Sequence, residues 1–565
     1  MRAFARAAWG YTRPYFGSAG FGPVLLLFAV VACQLGLVAS EVARNHWRND
    51  FFQSLQDKDW AEFVRQFWVY LAIAAALILT SVYQQYFTQW LTMRWREWLT
   101  SRLLDRWLSR GAHYKMRFVE GASDNPDQRI AEDTEKFAAS ALSISVGLLG
   151  AIVTLFSFVA ILWSISATVG ITMGGETYVI PGLLVWAALL YSLAGTVLAH
   201  VIGRALIALN YERDKVEGSF RFGLARVRNN SEEIALLRGD EAERRALDGR
   251  FRDVLGNWFA LIRRQKLLGF FADGFKHVSL YFPYLVLAPF YFSGEMQLGV
   301  LMQAGSAFAT VRTSLSFFVT AYRELTEWVA VTRRLEGLDQ TLDCARVLRK
   351  ATAEMSCGSD GPVVSVRELR VTDPTRTRVV GSLDELDLDR GGTASLRAKS
   401  GSGKTSVVRA LAGLSPFANG DVRFAEGAKL IALPQRSYMP VGSLKEAIVY
   451  PRPAAEVADD VVAAALADVG LGRLVDRLHD RQVVDNLSGG ERQRVSVARV
   501  LLSDADVVLL DEPTSALEAD AHRRLIEAIR KRLPDAAVIT TATSHSDEIS
   551  SLPDIFERDE PPLTP

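Results

Sequence analysis

Six apolar stretches crowd into the first 320 residues, and each is long enough to cross a bilayer as a helix. A helix rises 1.5 Å per residue, so about 20 apolar residues traverse a ~30 Å hydrocarbon core. The stretches fall near 21–40, 64–90, 138–166, 180–203, 267–293 and 298–320. All twelve tryptophans lie between Trp9 and Trp328. That bias fits a membrane half, because Trp favours the lipid–water boundary. The first stretch lacks the short core and small-residue cleavage site of a signal peptide and reads as a retained span. Ahead of it, FARAAWGYTRPYF mixes Arg with aromatics and reads as a short helix lying at the interface.

The connections set the orientation. Segment 94–137 carries nine Lys and Arg and segment 204–276 carries fifteen, whereas 167–180 and 293–297 carry none. Positive loops stay on the cytoplasmic side, so both termini are expected in the cytosol and the two basic connections project inward. Their apolar spacing runs helically into the flanking spans, so helices two to five should extend well past the bilayer. Arg312 falls inside the sixth stretch. A charge there is costly against lipid and must face a cavity or a partner; a substrate pathway and a structural pairing both satisfy that requirement. Lys+Arg and Asp+Glu are 64 each, and this neutral balance argues against a nucleic-acid partner. The three cysteines lack metal-ligand spacing and suit a reducing compartment.

Polarity rises after Trp328. The reading is a transmembrane domain over 1–345, a linker over 346–362, a soluble domain over 363–557 and a tail over 558–565. In the soluble part VVSVREL, TASLRA, KLIAL, DVVLLD and AAVIT read as strands. Segments opening at Lys404, Ala454, Gly490 and Ala521 read as helices. The alternation predicts a mainly parallel α/β sheet.

Between a strand and a helix stands Ala398-Lys399-Ser400-Gly401-Ser402-Gly403-Lys404-Thr405. It matches GxxxxGK[ST] with Ala398 in place of the first Gly. Gly401 and Gly403 allow backbone N–H groups to approach a polyphosphate, and the following helix offers its positive end to the same anion. Ser400 and Ser402 complete the cradle, Lys404 is placed to pair with the β/γ-phosphates, and the Thr405 hydroxyl to coordinate Mg²⁺. Downstream, the apolar strand DVVLLDE ends in Asp511 and Glu512. Asp511 is placed to hold Mg²⁺ and Glu512 to act as general base on the attacking water.

Just ahead of that strand comes Leu487-Ser488-Gly489-Gly490-Glu491. Here the sequence resembles the ABC ATPases, whose signature is LSGGE. The resemblance implies that Ser488, Gly489 and Gly490 open a helix onto a phosphate, and that each ATP is held by one subunit's phosphate loop and the other's signature. It also implies roles for further positions. Gln435 lies 31 residues after Lys404 and matches the Q-loop, which contacts Mg²⁺ and couples to the membrane part. His545 lies 34 residues after Asp511 and matches the switch histidine. Ser515-Ala516-Leu517-Glu518 matches the D-loop with Glu for Asp. No aromatic residue occurs between Gly358 and Pro416, so the usual adenine-stacking ring is missing before the phosphate loop. Apolar or Arg contacts to the base are the alternative.

The membrane half resembles the SbmA/BacA-like (YddA-type) bacterial transporters and the peroxisomal D-subfamily half-transporters. The resemblance is carried by WRNDFFQSLQDKDWAEF, by Asn125 to Asp133 (NPDQRIAED), by Ser231-Glu232-Glu233-Ile234-Ala235-Leu236, by the sixth span around Arg312 and by PQRSYMPVGSLKEAIVYP. It implies an exporter-type fold: an α-helical six-span membrane domain followed by an α/β nucleotide-binding domain, working as a homodimer in a bacterial inner membrane. Segments 125–137 and 228–237 become the coupling elements, with Glu232 and Glu233 as candidates. ATP and Mg²⁺ are the implied ligands. The implied cargo is a peptide of antimicrobial type or another bulky hydrophilic molecule, taken up; lipid or fatty-acyl cargo and corrinoids remain the alternatives.

Overall fold

A computed structural model describes residues 2–18, 20–119, 125–166, 170–173, 176–179, 181–347, 361–398, 401–511 and 519–543. The chain divides into two compact units. One comprises Met1–Leu104 with Asn125–Gly337, and the other Asp105–Asp124 with Leu338–Pro565.

The first unit opens with α1 (Arg2–Ser18), followed by α2 (Phe21–Gln56) and α3 (Trp60–Leu108). Short turns α4 (Ala112–Lys115), which belongs to the second unit, and α5 (Pro126–Gln128) precede α6 (Thr134–Ser166), with a π-helical turn over Arg129–Asp133 between α5 and α6. A hairpin, β1 (Gly170–Met173) with β2 (Glu176–Val179), leads to α7 (Leu183–Asn229), α8 (Ser231–Leu236), α9 (Asp240–Phe292) and α10 (Leu298–Val347). α3, α7 and α9 have 49, 47 and 53 residues. At 1.5 Å per residue each runs about 70–80 Å, more than twice the hydrocarbon thickness, so each is long enough to reach past a bilayer.

Among the described residues, four helices are long and apolar enough to span: α2, α3, the Pro126–Ser166 stretch and α7. The fifth and sixth expected spans lie in α9 and α10. Both are long enough, but α9 carries Pro283 and Pro289 among tyrosines, and α10 carries Arg312. α10 also continues through Val347, into the stretch that reads as a linker in the sequence.

Lipid tails are as apolar as Leu, so close contact rather than hydrophobic burial must join these helices. Gly195 in α7 illustrates it: a Cβ there would come within 2.3 Å of the Phe275 ring. That ring stacks on Tyr191 with centroids 4.0 Å apart. α1 buries Ala8, Tyr11 and Tyr15 and leaves Trp9 exposed. Tyr15 stacks on Trp95 at 5.3 Å, Tyr11 meets Phe137 edge-on and Phe4 meets Trp328. The π-helical turn is pinned by Asp133, which is 2% exposed. Asp133 accepts from Arg334 Nε and Nη2 at 2.8 and 2.7 Å and from Arg129 at 3.3 Å. A buried carboxylate needs such pairing, and the two-pronged guanidinium supplies it.

The second unit contains two sheets. β3 (Val364–Thr372) pairs antiparallel with both β4 (Val379–Leu388) and β6 (Ala418–Phe424). β5 (Thr393–Ala398), β9 (Ala537–Thr543), β8 (Val507–Leu510) and β7 (Leu430–Leu433) form a parallel sheet in that order. The parallel sheet agrees with the sequence reading, but VVSVREL does not belong to it; it becomes β3 of the antiparallel sheet. β3 alternates buried and half-buried residues, the period of a two-faced strand. All four residues of β8 are buried, as a strand covered on both faces requires. β4 escaped the sequence reading because its alternation, Leu383-Asp384-Glu385-Leu386-Asp387-Leu388, is dense in acid. The acids face basic neighbours on β3: Arg367 pairs with Asp387 and Glu385, and Arg370 with Asp384.

Helices α11 (Lys404–Leu411), α12 (Leu444–Val449), α13 (Asp459–Asp468), α14 (Gln482–Asp485), α15 (Gly489–Leu501) and α16 (Ala519–Arg532) complete the unit. α11 packs into the core shared by both sheets through Val407, Val408 and Leu411. α12 to α15 enclose a separate core that includes Leu444, Ile448, Val462, Leu466 and Val495.

Candidate functional site

The parallel sheet brings the chemistry together at the carboxyl ends of its strands, where open α/β sheets bind ligands. β5 delivers the phosphate loop, β8 delivers Asp511 and β7 delivers Gln435. Leu433 pairs with Leu510 in register, and Asp511 N–H donates to Leu433 O at 3.0 Å. Gln435 therefore leaves the sheet beside the strand that ends in Asp511.

Gly401 and Gly403 adopt φ of +83° and +89°. At Gly403 the requirement is also steric, since a Cβ would meet Val380 O at 1.6 Å. A Cβ on Gly381 would stand 3.0 Å from Gly403 O. β4 thus forms the floor of the phosphate loop. Sequence reasoning missed Val380 and Gly381; the available signal was a Gly inside a strand, which marks close backbone approach.

Lys404 opens α11 and is 5% exposed. The Thr405 hydroxyl donates to Asp511 Oδ1 at 3.1 Å. Thr541 Oγ1, from β9, donates to the same oxygen at 3.3 Å. Asp511 is itself buried at 4% exposure. Ser402 Oγ is buried and has no hydrogen-bond partner among the described residues. A buried polar atom without a partner is costly, so this loop is built to receive hydrogen-bonding groups. A hydroxyl beside a buried carboxylate, next to a lysine at a helix N-terminus, is a donor set suited to Mg²⁺ and phosphate oxygens. Ser400, Glu512 and His545 lie outside the described residues, as does the D-loop stretch 515–518.

Ser488 caps α15. Its Oγ accepts from Glu491 N–H at 3.3 Å, while Ser488 N–H and Oγ donate to Glu491 Oε2 at 2.9 and 2.7 Å. These reciprocal bonds form a capping box. They hold the Glu491 carboxyl below the usual carboxylate range, helped by Arg473. Ser488 and Gly489 are exposed and Gly490 is half-buried. The first turn of α15 is thus open at the surface, with its cap already formed.

In the first unit, Glu232 and Glu233 are exposed on α8, followed by Leu236 and Leu237 at 76% and 82% exposure. Arg312 is half-buried on α10, and its Nε is buried without a hydrogen-bond partner among the described residues. Among the described residues no cluster of His, Cys, Asp and Glu has a metal-holding arrangement of three or more.

Residues 12–292 match the family described as ABC transporter transmembrane region 2, and residues 384–515 match the family described as ABC transporter. The chain is 32% identical over 519 residues to the inner membrane ABC transporter ATP-binding protein YddA of Escherichia coli, covering 91% of each. It is 32% identical to the chloroplastic ABC transporter D family member 2 of Arabidopsis thaliana, over 90% of this chain and 79% of the relative. It is 26% identical to ATP-binding cassette sub-family D member 3 of Rattus norvegicus, over 83% and 75%. Among solved structures, a bacterial Atm1-family ABC exporter with ATP bound superposes with a TM-score of 0.65 at 16% identity, covering 93% of this chain and 90% of that one. That likeness is one of fold.

Proposed function

Because this chain belongs to the ABC transporter family, with YddA-type and D-subfamily proteins among its relatives, we propose that it is a homodimeric importer of peptides or similarly bulky hydrophilic cargo across a bacterial inner membrane. The family assignment makes it an ATPase coupled to transport. The observation that carries the energetic half of the proposal is the Thr405–Asp511 contact at the mouth of the phosphate loop. The inner-membrane location draws on the name of the Escherichia coli relative and on the four apolar helices.

In this reading Gly401, Ser402 and Gly403 wrap the polyphosphate, together with Ser400, and Lys404 neutralises its charge. Thr405, Asp511 and Gln435 would hold Mg²⁺, which supplies charge neutralisation across the β- and γ-phosphates. Glu512 accepts a proton from the attacking water, and His545 steadies the γ-phosphate. Ser488, Gly489 and Gly490 serve the partner's nucleotide. A capped but exposed helix N-terminus suits that role, because its remaining N–H groups and positive dipole are open to an anion. Closure of the two soluble halves would pass to the membrane helices through the 125–137 and 228–237 segments, with Glu232 and Glu233 as candidate coupling residues. Arg312 is then the group on the pathway that favours anionic or polar cargo over a lipid chain.

Uptake of a labelled peptide into cells expressing the wild type or Glu512→Gln tests direction and energy source together. Accumulation with the wild type alone supports the proposal. Equal accumulation with both variants, or faster loss of preloaded peptide with the wild type, contradicts it.

A further inference from the structure

Residues 434–443 connect β7 to α12 without forming helix or strand, and they begin one residue before Gln435. A segment without a repeating hydrogen-bond pattern needs its backbone groups satisfied from elsewhere. Arg499, near the far end of α15, satisfies one of them, the Tyr438 carbonyl. Its Nη2 donates to Tyr438 O at 3.0 Å and to Ala447 O at 2.6 Å, and its Nε donates to Ala447 O at 3.1 Å. The guanidinium also lies over the Tyr450 ring at 5.4 Å, and the Tyr450 and Tyr438 rings meet edge-on. One side chain thus fastens the middle of the connection, at Tyr438, and α12, at Ala447, to the helix capped by Ser488.

The chemistry of the contact is specific. Its partners are carbonyl oxygens and a ring rather than carboxylates, so the contact uses the planar fork more than the charge. A lysine ammonium has the charge but neither the fork nor the flat face. α15 is held on both flanks: Val497, Val500 and Leu501 pack with Leu433, Val508 and Leu510 of the sheet, and Val495 and Ala498 with the α12–α14 core. A displacement of the Gln435 segment therefore reaches α15 through a rigid body rather than dissipating in a loose loop.

We infer that Arg499 is a positioning residue that links nucleotide engagement at Gln435 to the signature end of α15, so that one subunit's occupied phosphate loop sets the orientation of the helix it offers to its partner's nucleotide. The inference rests on the ATPase reading above and adds a residue to it. Arg499 touches neither nucleotide nor metal in this scheme.

The test uses the full-length protein in lipid nanodiscs, with hydrogen exchange, binding of a fluorescent ATP analogue and steady-state hydrolysis read on the same preparations. In the wild type, ATP with Mg²⁺ slows exchange in peptides covering both 435–443 and 486–492. Arg499→Lys is expected to bind the analogue within about twofold of wild type, with kcat down at least about tenfold and KM little changed. It should also lose ATP-induced protection of 486–492. Tyr450→Phe keeps the ring and should behave as wild type. Should Arg499→Lys fail to fold, Tyr450→Ala removes only the ring and is expected to show the same kcat-selective loss at smaller size. The inference is overturned if the lysine variant retains wild-type kcat and protection. A parallel fall of affinity, kcat and unfolding temperature overturns it too, since that pattern marks a purely structural role. A wild type that neither binds nor hydrolyses ATP would instead refute the underlying function, and that result is visible in the control arm.

Discussion

Thr405 Oγ1 and Thr541 Oγ1 converge on one carboxylate oxygen, Asp511 Oδ1, at 3.1 and 3.3 Å. The two hydroxyls come from different elements, the first turn of α11 and the middle of β9. They orient a buried carboxylate toward the phosphate loop. Removing the remote hydroxyl alone, in Thr541→Val, should weaken the Mg²⁺ dependence of hydrolysis by about tenfold, in the range seen for groups that orient metal ligands. Thr405→Ala should do more. A titration of hydrolysis against Mg²⁺ at saturating ATP measures both, and an unchanged half-saturating Mg²⁺ in Thr541→Val would show that its hydroxyl serves only the strand.

Lys404→Ala and Glu512→Gln should separate binding from chemistry. In the proposed scheme the first removes the cation placed to face the phosphates, so nucleotide affinity should fall and uptake should stop. The second removes only the proposed proton acceptor. It should bind ATP normally, hydrolyse it about 10²- to 10⁴-fold more slowly, and accumulate a closed dimer. Equilibrium binding and single-turnover hydrolysis distinguish the two variants, and wild-type hydrolysis in Glu512→Gln would remove it from the role of base.

Gly403→Ala places a methyl on a residue at φ +89° and against Val380 O. The backbone strain alone is of order 1–3 kcal/mol, and the clash adds to it, since neither β4 nor α11 has free space to retreat. Thermal unfolding of the full chain should show a clear loss of stability together with loss of nucleotide binding. Gly401→Ala meets no neighbour within 4 Å among the described residues and should cost only the φ strain.

Glu491 predicts a specific pH dependence. Its folded pKa lies below the ordinary carboxylate value because Ser488 N–H and Oγ donate to it, with Arg473 beside it. A depressed folded pKa adds stability above the unfolded value, near 4.3, and that stability is lost as pH falls through the folded value. Glu491→Gln keeps one oxygen to accept from Ser488 but loses the charge and the Arg473 bond, and should cost about 0.5–1 kcal/mol at pH 7. The difference between the two proteins should shrink to nothing in acid. A gap in unfolding temperature that persists below pH 3 would contradict the assignment.

The chemistry-bearing segments were legible because each pairs a short motif with a strong local pattern. The all-apolar Val507–Leu510 strand ending in acid and the GSGKT turn between strand and helix admit few other readings. The LSGGE run marked a helix start at Gly489-Gly490, and α15 opens there, at Gly489. The antiparallel sheet was harder to see. β4 carries as many acids as apolar residues over Leu383–Leu388, and its strand character depends on Arg367 and Arg370 of β3 across the ladder, a long-range complement that a local window does not contain. The same reason hides Arg499, whose partners Tyr438 and Ala447 lie 61 and 52 residues away. In the first unit, hydropathy located α2, α3, α6 and α7, while the Tyr and Pro content of α9 and Arg312 in α10 dilute the signal that length alone would give.

The central claim is that two copies build each ATP site jointly, the phosphate loop from one and the signature from the other. Differentially tagged chains allow mixed dimers to be purified with Lys404→Ala and Ser488→Arg either on the same chain or split between the two. If sites form across the dimer, the split arrangement leaves one site intact and hydrolyses ATP, whereas the same-chain arrangement damages both sites and is inactive. If each chain builds its own site, the outcomes reverse: the same-chain dimer is active and the split dimer is dead, and the account of this transporter fails.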